Sequence, residues 1–563
     1  METKMRGADM VVRSLIAEQA ELIFGYPGGA IMPVYDALYD YHGQIKHVLT
    51  RHEQGAIHAA QGYARVSGKV GVCLATSGPG ATNLITGLAD AQIDSTPLVC
   101  ITGQVAAHLL GTDAFQETDM MGISMPVTKW NIQVRRAEDI GPAIAKGFFI
   151  ARSGRPGAVL IDITKNAQTE FGEFHYQPCQ EFRSYKSHHP INQTSIAEAA
   201  ALLNAAERPY LLFGQGVILG KAEAELVQFL DKSGIPAACT LLGSGALSEE
   251  HPNYVGKLGM HGNYGPNLLT NQCDVLIAVG MRFDDRVTGD LSRYAKQAKI
   301  IHLELDPSEI NKIVKTTVAI QGDCKESLSN LTAAILPKAY PAWMNKFRVL
   351  EEQEKDAVVQ HDLTPTKVGL TMGEVIHHIN RYKADDAVLV TDVGQHQMIA
   401  WRYFNYKKTR TQLTSGGLGT MGFALPAALG AQLHDFSRQV ICVVGDGGIQ
   451  MTIQELGTIM QTKAPVKIVL LNNNYLGMVR QWQQLFFDKR YSFTELDNPD
   501  FIKLAEAYSI KAQKVSDRSD LQEAIEDMLI HDGPYFLEVV VEKEDNVFPM
   551  IATGCSVEEV RLH

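Results

Sequence analysis

No stretch of this 563-residue chain approaches the ~18 consecutive apolar residues of a membrane-spanning helix. Its first residues also lack the apolar core of a secretory leader. The eight cysteines (Cys73, Cys100, Cys179, Cys239, Cys273, Cys324, Cys442 and Cys555) form no Cys-x-x-Cys pair. Cys73, Cys100 and Cys442 fall inside strand-like runs, so buried free thiols in a reducing compartment are expected, not disulfides or a zinc site. A basic stripe is missing too. The formal net charge is −12, and the densest basic knot is Lys407-Lys408 with Arg410. Nucleic acid and anionic membrane are thereby disfavoured as partners. No short-period repeat is present. These absences point to a cytoplasmic protein.

What is present is an ordinary globular balance, 45% apolar and 20% charged, in a chain too long for one core. Short apolar strands alternate with helical stretches in three blocks, so the expected fold is α/β, with three doubly wound parallel-sheet domains. They span 1–170, 190–337 and 367–563. Proline-bearing, polar or charged segments at 168–192 and 337–365 read as linkers. Asp9–Ala20 reads as an amphipathic helix and Ala237–Leu242 as a strand.

The stretch Val440–Gly477 carries the most information. A strand-forming run, Val440–Val444, breaks at Gly445-Asp446-Gly447-Gly448. A helical pattern (Ile449, Ile453, Leu456, Met460) follows, and a second apolar run, Val466–Leu471, ends in Asn472-Asn473. Parallel strands joined by a helix bring their C-terminal ends to one edge, where α/β proteins bind ligands. Asp446 and Asn473, 27 residues apart, should emerge there side by side. One carboxylate and one amide oxygen, completed by backbone carbonyls and phosphate oxygens, suit Mg2+. The glycines let backbone amides approach a diphosphate closely.

Glu53 holds the matching position in the first block. It follows the run His47–Thr50 and precedes a helix on the ligand-binding edge, which makes it a candidate functional residue; the competing role is to favour a helix N-terminus. His52, Glu53 and His58 do not make an HExxH zinc site, because the second histidine comes two residues late. Gly214-x-Gly216 is a weak nucleotide-loop signal. Gly417-x-Gly419-x-x-Gly422 matches the dinucleotide pattern, but it follows a polar segment and its helix holds Pro426 in the first turns. It is expected to be spurious.

Assembled, these motifs resemble the thiamine diphosphate (ThDP) enzymes, and among them the acetohydroxyacid synthase (acetolactate synthase) large-subunit family. Gly28-Gly29, Arg51-His52-Glu53-Gln54, Ser77-Gly78-Pro79-Gly80, Asp113–Glu117 and Gly154-Arg155-Pro156-Gly157 match in the first block. Gly259-Met260-His261-Gly262 and Arg282–Arg286 match in the second. Gly394-Gln395-His396, Ser415–Gly422, Gly445-Asp446-Gly447, Asn472-Asn473 and Met478-Val479-x-x-Trp482 match in the third.

The resemblance implies decarboxylation of pyruvate and ligation of the remaining two-carbon unit to a second 2-ketoacid. Pyruvate gives 2-acetolactate and 2-ketobutyrate gives 2-aceto-2-hydroxybutyrate, in branched-chain amino-acid biosynthesis. It assigns catalysis to Glu53, which would hydrogen-bond N1′ of the aminopyrimidine, and to Gln116 and Lys165. Substrate contacts would be Phe115, Met260, Arg286, Val479 and Trp482. ThDP would be held by Glu53, Gly394, Gln395, His396, Gly419 and Met421, the last as a wedge between its rings. Gly445, Asp446, Gly447, Gly448, Asn473, Tyr475, Leu476, Gly477 and Met478 would complete that set, with Asp446, Asn473 and Tyr475 as Mg2+ ligands. A non-redox FAD is implied at Arg155, Gly214, Gln215, Gly216, Thr240, Leu241, Leu242, Gly259, Met260, His261 and Gly280. Arg282, Asp284, Arg286, Asp306 and Asp323 would also touch it. Implied partners are a second copy of the chain, as a homodimer or dimer of dimers with each site between two subunits, and a small regulatory subunit.

The chain departs from the family in places. Thr164-Lys165-Asn166 stands where Pro-Lys-Asp is usual, Gln215 where glycine is common, and the C-terminal tail is short. Two other readings compete with the carboligase: a flavin-redox enzyme of the same fold, similar to pyruvate oxidase, and a non-catalytic module.

Overall fold

The computed structural model describes residues 3–366 and 368–563; Lys367, where the third domain was expected to start, lies outside them. Three six-stranded parallel sheets carry the chain. From edge to edge, the N-terminal sheet runs Lys46–Leu49, Leu22–Gly25, Gly71–Ala75, Leu98–Gln104, Ala158–Thr164 and Trp130–Val134. The C-terminal sheet runs Gln412–Leu413, Val388–Thr391, Val440–Gly445, Lys467–Asn472, Tyr535–Val540 and Lys511–Val515. Counted in chain order, both are 2-1-3-4-6-5. The central sheet, Tyr254–Lys257, Ala237–Cys239, Pro209–Phe213, Val275–Val279, Lys299–Glu304 and Val318–Gln321, is instead 3-2-1-4-5-6. Strand order therefore reverses beside the first strand of each sheet, and such reversals open a crevice at the carboxyl ends.

The inner strands are continuous runs of Val, Ile, Leu, Ala and Cys, buried on both faces by the crossover helices. Of the six strands in these three sheets that the sequence did not reveal, five are edges. Lys511–Val515 shows why: only Val515 is buried, so little apolar pattern marks it.

Part of the first expected linker and most of the second form regular structure, while residues 175–191 hold no helix or strand. Phe171–Phe174 pairs antiparallel with Thr3–Arg6, closing the N-terminal domain on itself. Residues 341–363 are helical, Pro341–Glu354 continuing through a wider turn to Leu363. Trp343 and Phe347 are buried against the central domain, and the Trp343 indole donates to the Pro209 carbonyl at 2.9 Å. Three helical or strand boundaries also differ. The first helix spans Gly7–Ala17, and the strand from Ala237 stops at Cys239. The single helix expected after Gly448 is broken into Asp446–Ile449, Ile453–Glu455 and Leu456–Thr462. The break lets the Thr452 hydroxyl reach the Gly422 carbonyl at 2.9 Å and turns Glu455 onto the amides of Arg51 and His52.

The N- and C-terminal domains share one apolar core. Helix Glu53–Ser67 lies on helix Ala424–His434 so closely that a Cβ on Gly62 would fall 2.0 Å from the Ala427 carbonyl oxygen. A Cβ on Gly430 would fall 1.8 Å from that of Ala59. Beyond the last long strand, the tail returns to the central domain, where Ile551 N donates to the Met260 carbonyl at 2.9 Å. All eight cysteines are free, six of them buried. No helix among the described residues is long and apolar enough to cross a membrane.

Candidate functional site

The C-terminal sheet aligns Gly445 with Leu471, so Asp446 and Asn472-Asn473 leave it side by side. Asp446 and Asn473, with Gly394, His396, Tyr475 and Gly477, line a space of about 60 Å3. The Asp446 carboxylate is buried and accepts from the Asn498 amide at 2.7 Å. Burial pushes it up to about 6. No basic side chain among the described residues pairs with it, a charge deficit that a divalent cation would relieve. The Asn473 amide oxygen accepts from Tyr475 N at 3.1 Å. No cluster of three His, Cys, Asp or Glu able to hold a metal by itself occurs among the described residues, so such an ion would need oxygens from a ligand.

His396 is buried on the same wall, and burial holds its ring neutral, down to about 3. Its Nε2 has no partner among the described residues, a donor suited to a phosphate oxygen. The glycines fit tightly. A Cβ on Gly448 would sit 1.8 Å from Asp392 Oδ2, and one on Gly477 2.2 Å from Gln395 Oε1.

This space abuts a cleft of about 760 Å3 between all three domains; Val393, Gly394, Met421, Met478 and Val479 line both. At its far end the first strand of the central sheet turns at Gly214–Gly216. There Gly216 N donates to the Gly280 carbonyl at 2.8 Å, and a Cβ on Gly216 would meet Gly280 Cα at 2.5 Å. Gln215 faces the cleft without obstructing that contact. Arg155, Arg282 and Arg286 line the walls and suit an anionic ligand. Met260 N donates to the Arg286 carbonyl at 2.8 Å, so the two loops picked out in the central domain meet. Helix Gly477–Phe486 puts Met478, Val479 and Trp482 on the cleft, while the Arg480 guanidinium anchors its other face to the carbonyls of Glu544 and Asp545.

The chain matches three family models over most of this architecture. They are the N-terminal TPP binding domain (residues 5–123), the central domain (196–331) and the C-terminal TPP binding domain (392–539) of thiamine pyrophosphate enzymes. It is 46% identical to the acetolactate synthase isozyme 2 large subunit of Escherichia coli (strain K12), covering 99% of each chain. It is 45% identical to the acetolactate synthase of Mycobacterium bovis (99% of this chain, 91% of that one). The acetolactate synthase large subunit of Corynebacterium glutamicum is 44% identical (99% and 90%). The chain belongs to the acetolactate synthase large-subunit family of thiamine pyrophosphate enzymes.

Within that family frame, four of the residues singled out in the sequence stand apart from both cavities: Glu53, Phe115, Gln116 and Lys165, all in the N-terminal domain. Glu53 opens helix Glu53–Ser67, is 8% exposed and accepts from the Asn83 amide at 3.0 Å. A Cβ on Gly80 would lie 3.1 Å from its carboxylate, and one on Gly78 (φ +57°) 2.8 Å from the Gln116 carbonyl, so Glu53 and Gln116 flank one glycine turn. Phe115 is 88% exposed, and Lys165 is exposed at the start of Lys165–Thr169. In the central domain, Gly214 and Asp306 do not line the cleft. Gly214 packs on Gly280 and Met281, while Asp306 pairs with Arg155 at 3.3 Å. Glu304 and Leu305 line the wall instead. Burial pushes Glu304 up to about 7.

Asn83, Asn498 and Glu304 escaped the sequence reading. Asn83 lies just beyond Ser77-Gly78-Pro79-Gly80 and could have been found there; Asn498 has no motif around it. The amides of Gly416 and Gly417 donate to Asp94 and that of Gly422 to Asp392, so two of the three dinucleotide-like glycines, Gly417 and Gly422, are already engaged. His58 is buried edge-on to Phe423.

Proposed function

We propose that this chain is the catalytic subunit of an acetolactate synthase, acting in branched-chain amino-acid biosynthesis. It condenses two 2-ketoacids with loss of CO2, pyruvate as donor and pyruvate or 2-ketobutyrate as acceptor. The observation that carries this reading is the junction of the two cavities at Met421 and Met478, within a chain 42–46% identical to acetolactate synthases over nearly its full length.

ThDP, when bound, supplies the carbon nucleophile and the electron sink for decarboxylation. Asp446, Asn473 and the Tyr475 backbone would hold its Mg2+, and His396 would donate to a diphosphate oxygen. Met421, common to both cavities, would set the bend between the rings, with Gly419 beside it. Glu53 would carry the proton at N1′ of the aminopyrimidine. Because Glu53, Phe115, Gln116 and Lys165 stand outside this chain's own cavities, they would serve the site of a second copy, making a homodimer the smallest active unit. Arg286 would clamp the acceptor's carboxylate and Trp482 would meet its alkyl group.

FAD fits the 760 Å3 cleft in size and in its arginine-bearing walls, and would act there without redox change. The relatives' designation as large subunits supports a smaller regulatory companion.

The test is product analysis on the purified chain with ThDP, Mg2+, FAD and pyruvate, without an electron acceptor. Acetolactate is expected, with 2-aceto-2-hydroxybutyrate when 2-ketobutyrate is added. Stoichiometric bleaching of the flavin tied to turnover would instead favour an oxidase.

A further inference from the structure

Three ionisable side chains, Arg65, Asp90 and Asp94, are buried together where the N-terminal domain meets the loop Ser415–Gly422. The Asp94 carboxylate accepts from Gly416 N at 2.9 Å and from Gly417 N at 2.7 Å. Asp90 accepts from the hydroxyls of Ser415 and Thr420. The Arg65 guanidinium sits between them, 3.0 Å from Asp94 and 3.7 Å from Asp90, and also donates to the Thr414 carbonyl. Both aspartates are fully or almost fully buried, and burial pushes both acids up.

Burying two acids against one base is a poor way to stabilise a core, since well-packed apolar groups usually do as well or better. The cluster is better explained by what it grips. Every loop atom it contacts belongs to residues 414–420, and the same loop carries Leu418, Gly419 and Met421 along the cavity walls. The grip is also anchored from behind. Arg155 donates to Ser95 Oγ at 2.9 Å and to the Ile93 carbonyl at 3.4 Å, and reaches Asp306 and Glu309 of the central domain. Ser95 itself adopts φ +55°, a conformation that a non-glycine residue keeps only where its surroundings enforce it. The turn 93–95 is thus held by the central domain on one side and holds the C-terminal loop on the other.

We infer that Asp94, clamped by Arg65 and backed by Asp90, is a positioning residue that fixes the 415–422 loop so that Gly419 and Met421 are presented to the cofactor. The inference rests on the ThDP reading above. It assigns to the N-terminal domain a role in its own chain's cavity, separate from that of Glu53.

The test compares Asp94→Asn with Asp162→Asn. Asp162 is an equally buried acid of the same domain, bonded to Thr102, Gln104 and Gln133 and touching nothing in the loop. Two quantities are measured on the full chain: ThDP affinity in the presence of Mg2+, by intrinsic fluorescence, and hydrogen exchange of the peptide covering 414–422 without ThDP. Asn keeps the size of Asp94 but turns a donor toward one glycine amide. Asp94→Asn should weaken ThDP binding about ten-fold or more and speed exchange in the loop. Asp162→Asn should change neither. A second variant, Gly417→Ala, leaves every charge in place but puts a Cβ 2.8 Å from Asp94 Oδ1, and should act like Asp94→Asn even if the latter fails to fold. Unchanged affinity in both loop variants overturns the inference, whether or not exchange rises, and so does an equal loss in Asp162→Asn. If the unaltered chain shows no saturable response to ThDP, the cofactor reading itself has failed, and exchange alone reports whether Asp94 holds the loop.

Discussion

The N-terminal and C-terminal sheets are wound in the same order, yet their ligand edges are finished differently. At the C-terminal edge Asp446, Asn473 and His396 are buried and closed over by the 475–479 turn. At the N-terminal edge only Glu53 and its glycine turn are covered, while Phe115 and Lys165 stand in solvent. One edge is a finished pocket within a single chain. The other leaves Phe115 and Lys165 exposed, which accords with the proposal that it closes on a second copy. Under the proposed function the duplicated topology would divide the labour, one edge anchoring the cofactor and the other supplying the proton-transfer group.

Glu53→Gln breaks this comparison most severely. It should lower kcat by roughly 10^2–10^4-fold, the usual worth of a positioned proton-transfer group, while ThDP affinity holds. Asp446→Ala should do the opposite and lose the cofactor. Mixing the two variants after dissociation should restore about a quarter of full activity, because half of randomly paired dimers are mixed and each has one intact site. No recovery on mixing would place both halves of the site in one chain.

A smaller effect separates a permanently satisfied acid from one awaiting a ligand. Burial pushes Asp162 up to about 6. Its folded value is therefore above its unfolded one, so the stability it contributes is complete below ~4 and lost as pH rises through ~6. Asp162→Asn cannot ionise. The melting temperature of the variant relative to wild type should therefore climb between pH 4 and 7, by the equivalent of roughly 3 kcal/mol. Mg2+ and ThDP should leave this trend unaltered, whereas they should remove the similar pH dependence arising from Asp446.

Gly216→Val should expel FAD from the central cleft, seen as about ten-fold weaker retention of flavin absorbance, because the added carbons collide with Gly280. The smallest expected change belongs to Trp482→Leu. Competing pyruvate with 2-ketobutyrate should show the product ratio shifting by about ten-fold or less, since one methylene is worth only ~1–3 kcal/mol in a pocket.

All but one of the inner strands (the exception, Tyr535–Val540, has Glu538 buried within it), with the polar residues at their ends, were legible in the sequence because burial on both faces leaves unbroken apolar runs. Val275–Val279 and Val440–Gly445 show this. Edge strands such as Lys511–Val515 were not, because solvent on one side dilutes the pattern. The helix at 341–363 looked like a linker because only a few of its residues, Trp343 and Phe347 among them, meet the core. Glu304 was passed over for Asp306 because sequence cannot tell which of two acids at a strand end faces the cleft.

By itself, the sequence determined the three parallel sheets, the family, and the placing of Asp446 beside Asn473, since each follows from local pattern and strand connectivity. Only the tertiary structure decided that Met421 and Met478 join two cavities, that Glu53 lines neither of them, and that Arg65, Asp90 and Asp94 reach across to residues 414–420. Those relations join groups hundreds of residues apart, and no local pattern encodes the packing of one domain on another.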